Sequence, residues 1–297
     1  MRVSFHPDYE VPLPPGHPFP MAKYRLLRDR LTARGLVPAA ALMKPREASF
    51  ETLELVHTPA YLEALATGAL SREAERLLGM PLTPALWRRS RLATQGTINA
   101  AVTALRDGIG ANLAGGTHHA FADHGEGFCV LNDVAIAIRW LQERRLIRRA
   151  LVVDLDVHQG NGTAAIFAGD ESVFTLSIHG ETNYPARKMR STLDVGLPDG
   201  TSDAGYLTAL DHHLPAAIAS ASPDVAFYLA GVDPVQGDRY GRLSLSEAGL
   251  AERERFVLRS LRSRALPTVI VLAGGYARTA ERTAELHALV FEAAAAL

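Results

Sequence analysis

The chain is predicted to fold as an α/β protein in three layers, with a central, mostly parallel sheet between two layers of helices. Three observations lead there. Short apolar runs rich in β-branched residues, at 109–113, 151–153, 173–179, 224–231 and 268–272, alternate with stretches of helical period. Each run is apolar through and through rather than at every second position, so both faces of each strand are covered, as in parallel sheets. The 297 residues, 47% of them hydrophobic, supply a large core and fit a single domain over 1–297.

Taken in order, residues 3–20 carry six prolines and read as an irregular segment. A first amphipathic helix covers 21–34, with Met21, Tyr24, Leu27 and Leu31 on its apolar face. Helical spacing recurs over 49–78, where Thr58-Pro59 is a cap followed by proline. Residues 79–87 form an apolar, proline-bearing loop, and 91–106 a helix of small residues. Asn132-Asp133 caps a helix to 145, a short helix covers 162–168, and 180–200 is irregular. Helices follow at 203–220, from Ser246 to 264, and at 280–297. His6 and His17 read as structural, and His212-His213 as part of a surface helix.

Charge excludes some functions. Lys and Arg number 31 against 32 Asp and Glu, so no global field favours nucleic acid or an anionic membrane. No stretch reaches the roughly 20 uncharged apolar residues of a membrane span. The single cysteine, Cys129, allows no disulfide within the chain, and the first residues lack a secretory apolar run. A reducing, cytoplasmic setting is expected; oligomeric state is not readable.

The chemistry concentrates in 151–162, Leu-Val-Val-Asp-Leu-Asp-Val-His-Gln-Gly-Asn-Gly. Alternate side chains of a strand point the same way, so Asp154, Asp156 and His158 line one side of its carboxyl end. Burying two carboxylates and an imidazole together costs several kcal/mol unless a cation or matched hydrogen bonds offset it. The competing reading is a strand end whose polar residues merely cap a helix. Further polar residues lie beyond other strand ends: His118 and His119 after Gly115-Gly116, Asp233 after Gly231, and Tyr276 after Gly274-Gly275. Ligands of open α/β sheets collect at such ends. Asp156, His158 and Asp233 make a three-ligand set with an open position, the pattern of a catalytic zinc site, although Fe²⁺ or another divalent ion also suits it. A divalent ion there turns water into a nucleophile near neutral pH. His118 or His119 is then the candidate base, and the Tyr276 hydroxyl the candidate oxyanion donor.

Five segments in order, Gly-Gly-Thr-His-His-Ala (115–120), Gly-Phe-Cys-Val-Leu-Asn-Asp (127–133), Asp-Leu-Asp-Val-His-Gln-Gly-Asn-Gly (154–162), Gly-Val-Asp-Pro (231–234) and Gly-Gly-Tyr (274–276), resemble the zinc-dependent histone deacetylase superfamily over nearly the whole chain. Gln159, His17-Pro18-Phe19 and Gly237-Asp238-Arg239 look most like its class IV branch and the bacterial relatives of that branch. The resemblance implies the arginase/deacetylase fold and an amidohydrolase that removes acetyl or longer acyl groups from N-acylated amines such as acyl-lysine, an acylpolyamine or a small metabolite. It implies Asp156, His158 and Asp233 as zinc ligands, His119 as general base, His118 as positioner of water and Tyr276 as oxyanion donor. It places Gly127, Phe128, Cys129, Tyr184 and Gly274 along the substrate channel. It also implies a structural K⁺ or Na⁺ near Asp154 and Ser177, with Asp154 orienting His118 and Asn161 facing His119. Where relatives have an aspartate in place of Asn161 the imidazole is more basic, so Asn161→Asp is expected to move a limb of the pH–rate profile. The loop 79–88 lacks an acidic residue to hold a peptide backbone. Two alternatives stay open: a ureohydrolase of the arginase or agmatinase type, for which Asp233-Pro234-Val235 offers too few carboxylates, and a binder of acylated amines without turnover.

Overall fold

The segment Ala150–Asp154 is buried at every position, a pattern that a strand satisfies only with neighbours on both edges and helices on both faces. In the computed structural model, which describes residues 1–297, that strand lies inside an eight-stranded sheet. The strands are β1 (Arg2–Ser4), β2 (Leu42–Met43), β3 (Ile109–Asn112), β4 (Ala150–Asp154), β5 (Val173–Gly180), β6 (Leu193–Leu197), β7 (Val225–Leu229) and β8 (Thr268–Val271). The helices are α1 (Lys23–Ala33), α2 (Phe50–Leu53), α3 (Pro59–Thr67), α4 (Arg72–Leu78), α5 (Pro84–Asp107), α6 (Asp133–Glu143), α7 (Asn161–Ile166), α8 (Asp203–Ala221), α9 (Glu247–Arg262) and α10 (Ala280–Ala295).

The strand order is β2-β1-β3-β8-β7-β4-β5-β6, and every pairing is parallel. The sheet is thus wholly rather than mostly parallel. Helices α5 and α6 pack together, with α5 against β1, β3 and β8; on the other face α8 lies on β4, β5 and β6 and leads through α9 and α10 to α1. This is the three-layer architecture expected from the sequence. A continuous apolar core runs from Val3 to Ala293. No helix is long and apolar enough to cross a membrane.

Strand β1 overlaps and β6 lies within chain that the sequence suggested to be irregular, and β2 falls in 35–48, which carried no assignment. Strands β1 and β2 are three and two residues long and lie among prolines at one edge. Strand β6 closes the other edge, and its alternating half-buried and exposed residues hide it from a search for continuous apolar runs. The apolar loop also ends sooner than expected, because Thr83 accepts from the Leu86 N–H and Pro84 opens α5. The helical region 49–78 divides into α2, α3 and α4, capped by Ser49, Thr58 and Ser71.

Strands β4 and β7 are neighbours, yet the chain leaves β4 towards β5 on one side and β7 towards β8 on the other. Loops that diverge in this way open a crevice at the strands' carboxyl ends.

Candidate active site

The crevice holds the predicted metal ligands. Asp156 and His158 follow β4, Asp233 follows β7, and one ligand atom from each lies within 4.8 Å of the others. All three are buried. His158 Nδ1 is 2.9 Å from Asp156 Oδ1 and 3.3 Å from Asp233 Oδ2. The remaining carboxylate oxygens are held by main chain: Asp156 Oδ2 accepts from Gly274 N–H at 2.6 Å, and Asp233 Oδ1 from Val157 N–H at 2.9 Å. One oxygen of each acid thus faces the imidazole, and Asp233 Oδ2 is sealed from solvent without a hydrogen bond.

That arrangement fits a cation. Burial and then Asp156 push Asp233 up to about 7. Burial opposes charge on His158, but Asp156 and Asp233 outweigh it and raise the imidazole to about 10. Buried negative charge in excess of its hydrogen bonds is what a divalent ion relieves. Space is as specific as charge. A Cβ on Gly274 would collide with Asp233 Oδ2 and come within 2.5 Å of Asp156 Oδ2. Gly274→Ala should therefore weaken zinc binding at least tenfold in a competitive chelator titration; unchanged affinity would show that the two acids do not share an ion.

His118 and His119 lie beside this cluster, their rings 4.1 Å apart between centroids. Their partners set them apart. His118 Nδ1 meets Asp154 Oδ2 at 2.6 Å, whereas His119 Nδ1 meets the neutral Asn161 Oδ1 at 2.6 Å. Burial disfavours charge on His118, but Asp154 and Asp156 overcome it and raise the group to about 9. Burial, His118 and His158 hold His119 well below the ordinary imidazole range. One imidazole is therefore held as a cation and its neighbour as a free base.

Tyr276 enters from the loop after β8. Its main-chain N–H donates to Asp238 Oδ2 at 2.6 Å. Its ring lies 6.4 Å from that of His158 and 6.0 Å from that of Phe128. Burial, Asp156 and Asp233 raise the phenol well above its usual value, so it keeps its proton. Outward from these groups runs a cavity of about 260 Å³ lined by Gly127, Phe128, Tyr184, Tyr240, Tyr276 and Leu77 among others. Gly127 has φ of +53°, and a Cβ there would come within 2.7 Å of His119 Cδ2. Cys129 lies at the inner end with Tyr24 and Arg89, and burial raises its thiol out of the reactive range. Asp154 and Ser177 are register partners on β4 and β5; Ser177 Oγ also bonds His179 Nδ1 at 2.9 Å.

The sequence reading missed several residues that build this site. Arg253, fully buried on α9, donates to the carbonyls of Leu155 and Gly231 at 3.0 and 2.7 Å, tying from behind the two loops that carry Asp156 and Asp233. Its signal was present, because Leu250, Arg253, Glu254, Val257 and Leu261 fall on one buried helical stripe. Asp238 accepts from the main chain of Tyr240, Gly241 and Tyr276. Lys23 is fully buried, bonded to the Ala273 carbonyl at 3.1 Å and lowered to about 8 by burial. Glu126, from an unremarkable glycine-rich loop, accepts from Asn161 Nδ2 at 2.8 Å and from the Tyr184 hydroxyl. Lys23 shares the buried stripe of Tyr24, Leu27 and Leu31 on α1, the same spacing as Arg253, Glu254, Val257 and Leu261 on α9, whereas no periodicity marks Glu126.

Comparison with known proteins agrees with this geometry. A family model described as "Histone deacetylase domain" matches residues 17–293. An uncharacterized protein of Picosynechococcus sp. is 46% identical over 98% of this chain and 97% of its own length. "Histone deacetylase 2" of Arabidopsis thaliana is 31% identical over 90% of this chain and 71% of its own length. A "Probable deacetylase" of Methanothermobacter thermautotrophicus is 29% identical over 93% of this chain and 86% of its own. The crystal structure of the HDA15 HD domain superposes with a TM-score of 0.80 at 25% identity, covering 98% of this chain and 91% of that one.

Proposed function

Because the chain belongs to the histone deacetylase family, we propose that it hydrolyses the amide of an N-acylated amine with the help of one divalent cation held by Asp156, His158 and Asp233. The observation that carries this reading is the convergence on one channel of that triad, a neutral imidazole at His119 and a protonated phenol at Tyr276. The donor set, one imidazole and two carboxylates, suits zinc and also admits Fe²⁺. When bound, the ion supplies Lewis acidity toward the acyl carbonyl and acidifies a water.

The chain's own groups do the rest. His119, uncharged and free at Nε2 of any protein partner, takes the proton of the attacking water and returns it to the departing amine. His118, charged against Asp154, orients that water and faces the negative charge that develops. The Tyr276 hydroxyl donates to the carbonyl oxygen as it becomes an oxyanion. Phe128 and Tyr184 flank the acyl-amine arm and exclude bulk water. The register pair Asp154 and Ser177 supports a structural K⁺ or Na⁺ close to His118.

The mouth supports a reading of the substrate. Its exposed members, Leu77, Tyr184 and Tyr240, are apolar or aromatic, and 79–88 holds no acid to grip a peptide. An apolar arm rather than a peptide backbone is what the walls recognise. The test is a release assay on N-acyl amines of graded chain length, each offered as a peptide lysine and as a simple alkylamine or polyamine, with bound metal counted. We expect one divalent ion per chain and kcat/KM values for peptide and non-peptide forms of the same acyl group within about tenfold, less than the worth of one anchoring charged hydrogen bond. Urea release with two ions would favour a ureohydrolase. Tight binding of acyl amines without hydrolysis would leave only a binder.

A further inference from the structure

We propose that Glu126 is a positioning residue that fixes the tautomer of His119 through the side-chain amide of Asn161; the inference rests on the reading of His119 as the proton acceptor. Three side chains form the chain of contacts. His119 Nδ1 lies 2.6 Å from Asn161 Oδ1, and Asn161 Nδ2 lies 2.8 Å from Glu126 Oε1. His119 and Asn161 are buried, and the Glu126 side chain is 12% exposed. The Glu126 main chain is pinned in both directions, its N–H donating to the Cys129 carbonyl at 3.1 Å and its carbonyl accepting from Cys129 N–H at 2.8 Å.

Polarity decides how this chain must run. An amide carries donors on one side and an acceptor on the other, and either can face an imidazole nitrogen. A carboxylate has no such choice. Ionised, Glu126 only accepts, so Asn161 must show it the NH₂ group. The amide carbonyl is then turned to His119, where only an N–H can meet it. Nδ1 therefore holds the proton, and the lone pair of Nε2 faces the channel, where a base is needed. The flipped amide would set two acceptor oxygens against each other across the 2.8 Å gap. Asn161 alone fixes no direction; Glu126 does.

The same carboxylate holds the channel wall. The Tyr184 hydroxyl donates to Glu126 Oε1, and the Tyr184 ring stands edge-to-face on His119 at 5.0 Å and 88°. His124 Nε2 is 3.7 Å from the other carboxylate oxygen. A trial of the idea must separate orientation of the base from support of the wall.

The experiment uses the full chain loaded with zinc, comparing wild type, Glu126→Gln, Asn161→Asp, the double variant and Tyr184→Phe. Glutamine can either donate or accept, so Glu126→Gln frees the amide to flip. We expect kcat to fall roughly tenfold with metal content and KM retained. We also expect the imidazole ¹⁵N resonances of His119 to change from one Nδ1–H form to a mixture. In Asn161→Asp, two carboxylates at hydrogen-bonding distance compete for one proton, which blunts the effect of either. Adding Glu126→Gln there should raise kcat and move the acidic limb of the profile to higher pH than in wild type, because the introduced carboxylate beside His119 favours the imidazolium. The sign of the Glu126→Gln effect thus reverses between the two backgrounds. Equal losses in both, an equal loss in Tyr184→Phe, or an unchanged nitrogen spectrum would each overturn the proposal. If wild type hydrolyses no acyl amine, the functional reading falls, and the nitrogen spectra decide the tautomer by themselves.

Discussion

Replacing Asp233 with asparagine is expected to abolish stoichiometric zinc binding and to lower kcat/KM by at least about a thousandfold, which corresponds to roughly 4 kcal/mol of transition-state stabilisation. The substitution keeps the shape of the side chain. Its amide oxygen can still accept from Val157 N–H, the bond that fixes Asp233 Oδ1 at 2.9 Å. The amide group then turns toward His158, so a donor replaces the acceptor that lies 3.3 Å from His158 Nδ1. A cation loses one ligand and meets a group of the wrong polarity. Losing only a residue behind a ligand costs about 10- to 100-fold in metal affinity, so losing a ligand costs more.

A second readout separates ligation from folding. The fold holds two carboxylates at a site where burial and Asp156 already push Asp233 above its usual range. The Asp233→Asn change removes one of those like charges while keeping the tie to Val157. The metal-free variant should still fold and melt cooperatively, although it lacks the Asp233 charge that helps hold the His158 proton, and only wild type should gain melting temperature on adding zinc. A variant that still binds one equivalent of zinc, or one that does not fold without metal, would make Asp233 a structural residue instead.

How much of this was legible beforehand follows from where each signal lives. Strand β4 was readable because full burial and period-two polarity coincide in twelve residues; the fold needs the first, and a site at the strand's end needs the second. Asp233, His118 and Tyr276 were readable for the same reason, since each follows an apolar run that ends in glycine. What joins Asp156 and His158 to Asp233 is strand order, and sheet neighbours far apart in sequence leave no local trace. Strand β6 lay in supposedly irregular chain because an edge strand alternates and contains Asp194 and Gly196. The start of α5 was lost because Pro81 and Pro84 read together as loop, although Thr83-Pro84 is the same capping signal recognised at Thr58-Pro59.

The supporting shell was least legible. Arg253 and Glu254 lie on the buried stripe of α9, but nothing local says that their charges are paired inside, where Arg253 donates to Glu254 and Glu254 also accepts from the Tyr228 hydroxyl at 2.5 Å. Composition counts charges without saying which are paired inside. Glu126 belongs to the same class: nothing around it in sequence hints that Asn161, thirty-five positions on, needs an acceptor. Such residues act through geometry that only the assembled fold creates.

Tyr276→Phe should lower kcat by about 10²- to 10³-fold, roughly 2.7–4 kcal/mol, while leaving KM and the metal count close to wild type. The hydroxyl does little else. It makes no hydrogen bond within the protein, whereas the Tyr276 main chain is fixed by Asp238 and its ring packs on Phe19 at 6.1 Å and on Tyr240 at 5.0 Å. Phenylalanine preserves all of that packing, and Lys23 keeps its place 5.9 Å from the ring centre. Only a donor aimed into the channel is lost. That donor gains strength as the carbonyl oxygen takes on charge, so its removal falls on the chemical step and not on ground-state binding. Burial and the two acids hold the phenol protonated through any working pH, so its absence should lower the pH–rate profile without moving its limbs. A variant as fast as wild type would remove Tyr276 from the mechanism; a raised KM with unchanged kcat would make it a wall of the channel and nothing more.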